Sequence, residues 1–284
     1  TMTYLILDGD MLLFQVMSAL ETDVQLEEEV WTRHARLDDV RQEYSDRLEE
    51  LASKFDTSFD KIYQCFTSVS FFRKEIEPEY KANRKLFKKP IGYLPMKKEL
   101  LLQETAMQHD MIEADDLLGI IATELKNENK DYIIISGDKD LLQIPGKHYW
   151  FGEYWSAKSK AKRKEWFISQ GMEIQENGVF TISERAARLW WLAQILIGDT
   201  TDNITGCPSI GEVRALAAVT EFNPSRPVEC WKEVVQLYRT KGKVEQPHQS
   251  ALKTARLTRI LRAGEYDFST TEVSLWNPPI ALSA

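Results

Sequence analysis

The chain is poor in the residues from which the commoner catalytic and metal sites are built. Its three cysteines, Cys65, Cys207 and Cys230, are odd in number and far apart in 284 residues, which excludes a disulfide framework and a CxxC zinc site. They read as buried thiols. The four histidines, His34, His109, His148 and His248, are scattered and take no assigned role. No apolar run approaches the roughly 18 residues of a membrane span, and the N-terminus lacks the basic flank and small-residue cleavage site of a secretory signal. A cytoplasmic protein with no membrane partner is therefore expected. Internal repeats, low-complexity tracts and clear linkers are also missing.

Hydrophobic residues make up 43% of the chain, enough for one large domain or for one domain with a small appendage. The net charge of -8 argues against a protein that coats nucleic acid, but the charges are unevenly placed. Arg73 to Lys98 holds nine Lys/Arg against three acids, and Lys232 to Arg262 holds eight against two. The run Lys158, Lys160, Lys162, Arg163, Lys164 is uninterrupted by any acid. Acids dominate elsewhere, notably between Glu21 and Glu50. Basic rims around an acidic pit suit a polyanion; any one segment by itself reads equally well as a solvated helix face.

The acids recur at the ends of predicted elements. Tyr4 to Leu7 is a buried-strand pattern closed by Asp8-Gly9-Asp10, with Asp10 expected to cap a helix from Met11 to about Leu20. Asp131 to Ser136 is a second such strand, closed by Gly137-Asp138-Lys139-Asp140. Between them, Met111 to Gly119 places Glu113, Asp115 and Asp116 at the start of a helix running to about Asn127, where the helix dipole favours negative charge. Asp199 and Asp202 precede a Gly/Pro/Ser turn, Gly206 to Gly211, that opens the small-residue helix Glu212 to Thr220. Such a turn offers backbone N–H groups to a phosphate and carbonyls to a monovalent cation.

The alternation of strand, acid and helix predicts an α/β fold with a largely parallel central sheet and carboxylates converging at one edge. Other expected elements are a scaffold helix from Leu26 to Lys54, a strand over Lys61 to Thr67, strands and a loop over Trp150 to Phe180, and a helix over Arg185 to Ile197. C-terminal helices are expected over Val228 to Thr240 and Pro247 to Arg262, followed by a strand-like stretch from Tyr266 to Trp276. In the cationic segment Pro78 to Tyr93, Lys81, Arg84, Lys85 and Lys88 recur at helical spacing, and Tyr80 and Phe87 offer rings for stacking on bases.

Oxygen ligands unaccompanied by His or Cys suit Mg²⁺ or Mn²⁺ rather than zinc. Eight carboxylates in one cleft, Asp8, Glu113, Asp115, Asp116, Asp138, Asp140, Asp199 and Asp202, require cations to stay ionised together. Two divalent ions about 4 Å apart would stabilise the attacking and leaving oxygens of a phosphate displacement, with water as nucleophile and no catalytic His or Ser. Lys81 or Arg84 would offset charge on the scissile phosphate, Arg84 with bidentate geometry.

In this order the motifs resemble the 5′ nuclease family of flap endonucleases, the 5′ nuclease domain of bacterial DNA polymerase I, and phage exonucleases. They are Asp8-Gly-Asp10, Pro78-Glu-Tyr-Lys-Ala-Asn-Arg84, Glu113-Ala-Asp-Asp116, Ser136-Gly-Asp-Lys-Asp140, and Gly198-Asp-Thr-Thr-Asp-Asn203 before Ile210-Gly211. With the 5′-to-3′ exonucleases of short-tailed bacteriophages the likeness extends to Phe14 to Ala19, Lys89-Pro-Ile-Gly-Tyr93, Arg259 to Arg262 and Glu265-Tyr266. The resemblance implies a PIN-like sheet flanked by helices, a helical arch over about 71–108, and a C-terminal helix-three-turn-helix region. A nuclease core over 2–182 and a DNA-binding region over 183–284 follow.

It further implies that the eight acids hold two Mg²⁺ or Mn²⁺, that Lys81 and Arg84 act on the phosphate, and that K⁺ assists at the turn. Nucleic acid would meet Tyr80, Lys85, Lys88, Lys89, Gly206, Ser209, Ile210 and Gly211. The implied substrates are duplex or flapped DNA with 5′ ends and RNA primers paired to DNA, in the infected bacterial host. Phage replication proteins are the expected protein partners. No symmetric interface is suggested, so a monomer is expected. Two departures stand out: Ser68 occupies the place of a family Asp after the second strand, and Glu212 adjoins the duplex-binding turn. The first leaves open a DNA-junction binding protein with a weakened metal site; a PIN-like single-strand ribonuclease is the other alternative.

Overall fold

In the computed structural model, which describes residues 2–86 and 88–279, Tyr4 to Leu7 lie in β1 (Tyr4–Asp8), the strand on which the sheet is centred. It is buried on both faces, with Leu5 and Leu7 entering one core and Ile6 the opposite one. α1 (Gly9–Leu20) follows. Its cap is Asp8, which accepts from the Met11 N–H at 2.9 Å; Asp10, expected in that role, lies inside the first turn and points elsewhere.

The scaffold helix expected from Leu26 begins later. Its first part forms an exposed antiparallel hairpin, β2 (Thr22–Glu27) and β3 (Val30–His34). Thr22, Val24, Val30, Trp31 and Thr32 favour a strand there, and Glu29 accepts a left-handed φ of 63° at the turn. α2 (Leu37–Lys54) then buries Val40, Tyr44, Leu48 and Leu51 at the expected three-to-four spacing.

β4 (Ile62–Cys65), α3 (Arg73–Ile76), a 3₁₀ turn over Ala82–Leu86, α4 (Tyr93–Leu100) and β5 (Ala106–Met107) come next. The regular cationic helix expected after Pro78 is replaced by that 3₁₀ turn, because Lys81 enters it with a φ of 58°. Phe87 and the Lys85 side chain, both expected at the nucleic-acid contact, lie outside the described residues. The chain continues through α5 (Ala114–Asn127), β6 (Tyr132–Ile135), a 3₁₀ turn over Lys139–Gln143, and β7 (Gly146–Tyr149).

The stretch 150–180 contains α6 (Ala161–Ser169), a helix that its three glycines obscured but its Ala, Lys, Arg and Glu content favours. β8 (Glu173–Ile174), β9 (Phe180–Ile182), α7 (Glu184–Ile197), the small hairpin β10 (Gly198–Asp199) and β11 (Ile204–Thr205), and α8 (Glu212–Thr220) follow. α9 (Pro227–Thr240) and α10 (Pro247–Thr258) end the series. The expected C-terminal strand reduces to a single bridge between Tyr266 and Val273.

The main sheet has the order β5-β4-β1-β6-β7-β9-β8, parallel from β5 to β7 and antiparallel at β9 and β8. The chain leaves β1 toward β4 on one side and later returns to β6 on the other. The carboxyl ends of β1 and β6 therefore flank a topological switch point, the edge at which α/β sheets gather ligands.

α10 stops at Thr258 instead of Arg262 because the next residues surrender their backbone to side chains. The Arg259 carbonyl accepts from Arg73 at 2.6 Å, the Ile260 N–H donates to Gln143 at 2.9 Å, and the Leu261 N–H donates to Asp116 at 3.2 Å. This strap lies against α5 at Gly119, where a Cβ would stand 2.3 Å from the Leu261 carbonyl. One hydrophobic cluster runs from Leu142, Phe167 and Phe180 into α7, α8, α9 and α10, so residues on both sides of position 182 share a core.

Candidate active site

Three elements deliver acids to the edge above β1 and β6, Asp8 buried and Asp115 and Asp138 half-buried. Asp8 ends β1, accepting from the Met11 N–H and from the Ser136 hydroxyl at 3.0 Å. Asp138 caps the 3₁₀ turn after β6 and accepts from the Asp140 N–H at 2.8 Å. Asp115 lies in the first turn of α5. None of the three makes an ion pair among the described residues. Burial, then the charge of its acidic neighbours, raises each carboxyl: Asp8 to about 7, Asp138 to about 6, and Asp115 well above the ordinary range. Such a group favours a cation that would take the place of its protons.

A second trio adjoins the first. Asp140, Asp199 and Asp202 each present an oxygen such that all lie within 4.8 Å of one another. α7 braces this trio from beneath, Gln194 donating to Asp140 at 2.8 Å and Trp190 to the Lys139 carbonyl at 2.9 Å. Here the chain supplies its own cations. Lys139 contacts Asp140 at 2.9 Å and Asp199 at 2.6 Å, and Arg84 pairs with Asp202. Lys81 bridges Glu113 and Asp202. Burial works against the Glu113 charge, but Lys81 and Arg73 outweigh it and hold its carboxyl below the usual range.

The cationic segment is stapled over this trio. The Lys81 N–H donates to the Asp202 carbonyl at 2.9 Å, Asn83 to the Thr200 carbonyl at 2.8 Å, and Asn203 to the Glu79 carbonyl at 2.9 Å. Tyr80, expected to stack on a base, is instead buried against Ile204 and Leu257 and donates to Glu113 at 3.0 Å. Lys88 is exposed, and Lys89 stands over the Tyr93 ring at 4.6 Å.

Asp116 does not join the pit. Its two oxygens accept from both Arg73 Nη groups at 2.7 and 2.8 Å, from the Glu113 N–H at 3.0 Å and from the Leu261 N–H at 3.2 Å. All four lone-pair directions are taken, so it holds α5 to Arg73 and the strap and offers no oxygen to a metal. Sequence reasoning missed Arg73, which is fully buried with all five N–H groups bonded; its partners lie 40 to 186 residues away. Lys139 was missed too, although its place between two acids is a local signal.

Both departures acquire a structural reading. Ser68 turns to Asp110 at 3.4 Å. A carboxylate reaches that margin from α1 instead: Asp10 accepts from the Thr67 N–H at 2.6 Å and from Tyr93 at 2.6 Å, and pairs with Lys97 at 3.1 Å. Glu212 pairs with Arg163 of α6. In the turn before α8, Gly206 serves packing, because a Cβ there would meet the Ile197 carbonyl at 2.4 Å, and Ile210 is buried in the core. Ser209 and Gly211 are exposed, and Gly211 opens α8 with no side-chain cap. Beside the pit, a cleft of about 460 Å³ is lined by Met11, Phe14, Gln15, Trp150 and Lys160, with Phe14 48% exposed.

The donors are all carboxylate oxygens, mutually repelling in one trio and within reach of one another in the next, and they fit divalent cations of the Mg²⁺ type. An acid-edged parallel sheet with basic side chains over two carboxylate trios defines a class, the metal-dependent nucleases that cut phosphodiester bonds. Residues 3–172 match the family described as the 5′-3′ exonuclease, N-terminal resolvase-like domain. The chain belongs to the 5′-3′ exonuclease family.

Among its relatives is the exonuclease of Escherichia phage T7, 30% identical over 96% of this chain and 93% of that protein. The exodeoxyribonuclease of Enterobacteria phage T3 is 29% identical over 96% and 92%. The fold is similar to that of T5 5′-exonuclease with bound divalent metal ions (zinc), at a TM-score of 0.58 and 14% identity over 90% of this chain and 89% of that one. The T5 flap endonuclease in complex with DNA and metal ions matches at 0.53 and 15% identity over 89% and 99%.

Proposed function

We propose that the protein is a 5′-to-3′ exonuclease and flap endonuclease of phage DNA replication, hydrolysing phosphodiesters at the 5′ ends of duplex or flapped DNA and of RNA primers paired to DNA. The observation that carries this reading is the pairing of a trio that makes no ion pair among the described residues, Asp8, Asp115 and Asp138, with the adjoining trio Asp140, Asp199 and Asp202. These six, with Glu113, would hold two Mg²⁺ or Mn²⁺. When bound, such ions supply charge neutralisation at the phosphate and acidification of water.

The remaining chemistry belongs to the chain. Lys81 and Arg84, stapled over the second trio, are placed to offset charge on the scissile phosphate. The exposed Phe14 ring offers a face to a base beside the pit. Ser209 and the uncapped start of α8 offer hydrogen bonds to a duplex backbone, and a K⁺ ion at the carbonyls of the same turn belongs to this proposal. So does action in the cytoplasm of the infected host, as a monomer and alongside other phage replication proteins.

The junction-binding alternative rested on Ser68 and is not favoured, since the buried acids that would hold the metals are retained. The test is cleavage of 5′-labelled duplex, flap and single-stranded substrates in Mg²⁺ and in EDTA. Cleavage of duplex or flap ends that EDTA abolishes is expected. No metal-dependent cut in any substrate would overturn the reading, and a strong preference for single-stranded RNA would favour a PIN-like ribonuclease.

A further inference from the structure

Hydrolysis leaves two features of the chain unexplained: the acid-free run from Lys158 to Lys164, and an acid, Glu212, at the first position of α8. The structure joins them. Arg163 donates to both Glu212 oxygens, through Nε at 2.9 Å and Nη2 at 2.6 Å, and its guanidinium lies 5.1 Å from the Trp190 ring centre. The Arg163 side chain is 11% exposed and the Glu212 side chain 32%, so the bidentate pair is sheltered on its arginine side. Further along both helices, Trp166 donates its indole N–H to the Thr220 hydroxyl at 2.9 Å.

Two contacts, in the same order along both helices, tie α6 to α8: Arg163 to its first residue and Trp166 to its last. Arg163 thereby ties the start of α6, with Lys162 beside it and Lys158 in the 3₁₀ turn Lys158–Lys160 just before the helix, to the residue that follows the exposed turn and opens α8. Lys158 and Lys162 are exposed, and neither they nor Lys164 pair with an acid among the described residues. Glu212 is neutralised by Arg163 and no longer opposes a phosphate at that turn.

We infer that α6 and the 3₁₀ turn before it form a second phosphate-binding element, which with the turn before α8 grips the backbone of duplex DNA, and that the Arg163–Glu212 pair is the pin that sets the register of the two. The inference rests on the nuclease reading for its choice of ligand. Duplex DNA is favoured over an acidic protein segment because Arg163 ties the lysine-bearing segment to a turn whose N–H groups and Ser209 also suit phosphate. Lys158 and Lys162 contribute charge; Arg163 contributes position.

The test is binding of a blunt duplex, followed by fluorescence anisotropy in EDTA over a range of salt. For the double variant Lys158→Gln/Lys162→Gln, the slope of log K against log salt should become shallower by about two, one unit for each phosphate that is no longer neutralised. Arg163→Glu should weaken duplex binding, and adding Glu212→Arg to it should restore both binding and melting temperature toward wild type. An unchanged slope in the lysine variant would overturn the inference and leave α6 free for an acidic protein. So would a swap that restores melting temperature but not binding. The assay contains no divalent metal, so its outcome is separate from whether the wild-type protein cuts DNA in Mg²⁺, the point on which the nuclease reading stands or falls.

Discussion

Arg73 shows how a buried charge is made tolerable. Its five N–H groups meet two carboxylates and two carbonyls, which spreads the desolvation cost over a complete set of hydrogen bonds. Replacing it with Met strands Glu113 and Asp116, and a loss of about 3 to 5 kcal/mol in urea unfolding is expected. Arg73→Lys keeps the charge but has three donors for five places, so it should fall between the two. Neighbouring acids should respond with opposite signs. Asp116→Asn breaks this network and is expected to lower the melting temperature of the metal-free protein. Asp115→Asn removes a charge that burial and its neighbours oppose, and should raise that temperature while weakening Mn²⁺ binding in a titration. A fall for both would mean that Asp115 also holds the fold. Sequence reasoning could place the two acids but not separate their roles, because adjacent residues in a helix face different partners and those partners, Arg73 and Leu261, are remote in the chain.

At the scale of elements, β1, β4, β6 and α5 were legible because each carries its own signal, a short apolar run or an apolar helix opened by acids. The β2–β3 hairpin was not, since its many Glu residues favour helix and its apolar Leu26 and Val30 also fall at helical spacing. Nor was α6, where three glycines outside the helix masked good helix formers within it. The early end of α10 was also illegible: the residues after Thr258 have helix-compatible side chains, and only contacts with Arg73, Gln143 and Asp116 draw them off. Those contacts need the strap to approach α5 closely, which Gly119 permits. Gly119→Ala puts a methyl group against the Leu261 carbonyl and is expected to cost about 1 to 3 kcal/mol despite the better helix propensity of Ala, measured by chemical denaturation. A gain in stability would show that the strap can retreat at no cost.

For the molecule as a whole, metal and protons compete for the same oxygens. Asp8, at about 7, and Asp138, at about 6, sit above the ordinary carboxylate range, so the metal-free protein holds more protons than the unfolded chain between about pH 4 and 7. Its stability should therefore fall as pH rises through that window. Mg²⁺ should restore stability, by an increment that grows with the logarithm of its concentration. Calorimetry in buffers of different ionisation enthalpy should show protons released on Mg²⁺ binding at pH 6 and far fewer at pH 8, with tighter binding at the higher pH. Equal release at both would place the first ion away from Asp8.

The strap has one more consequence, in the order of events on the ribosome. α5, which carries Glu113 and Asp115, is anchored through Arg73 and Asp116 to the backbone of Leu257, Arg259 and Leu261, so the nascent chain cannot complete this anchorage until those residues have left the exit tunnel. A half-made chain presents acids and a basic segment but not the frame that aligns them. Ribosome-bound fragments ending before Leu257 should thus bind nucleic acid through the basic segment but fail to cut it, since the acids are not yet held in line.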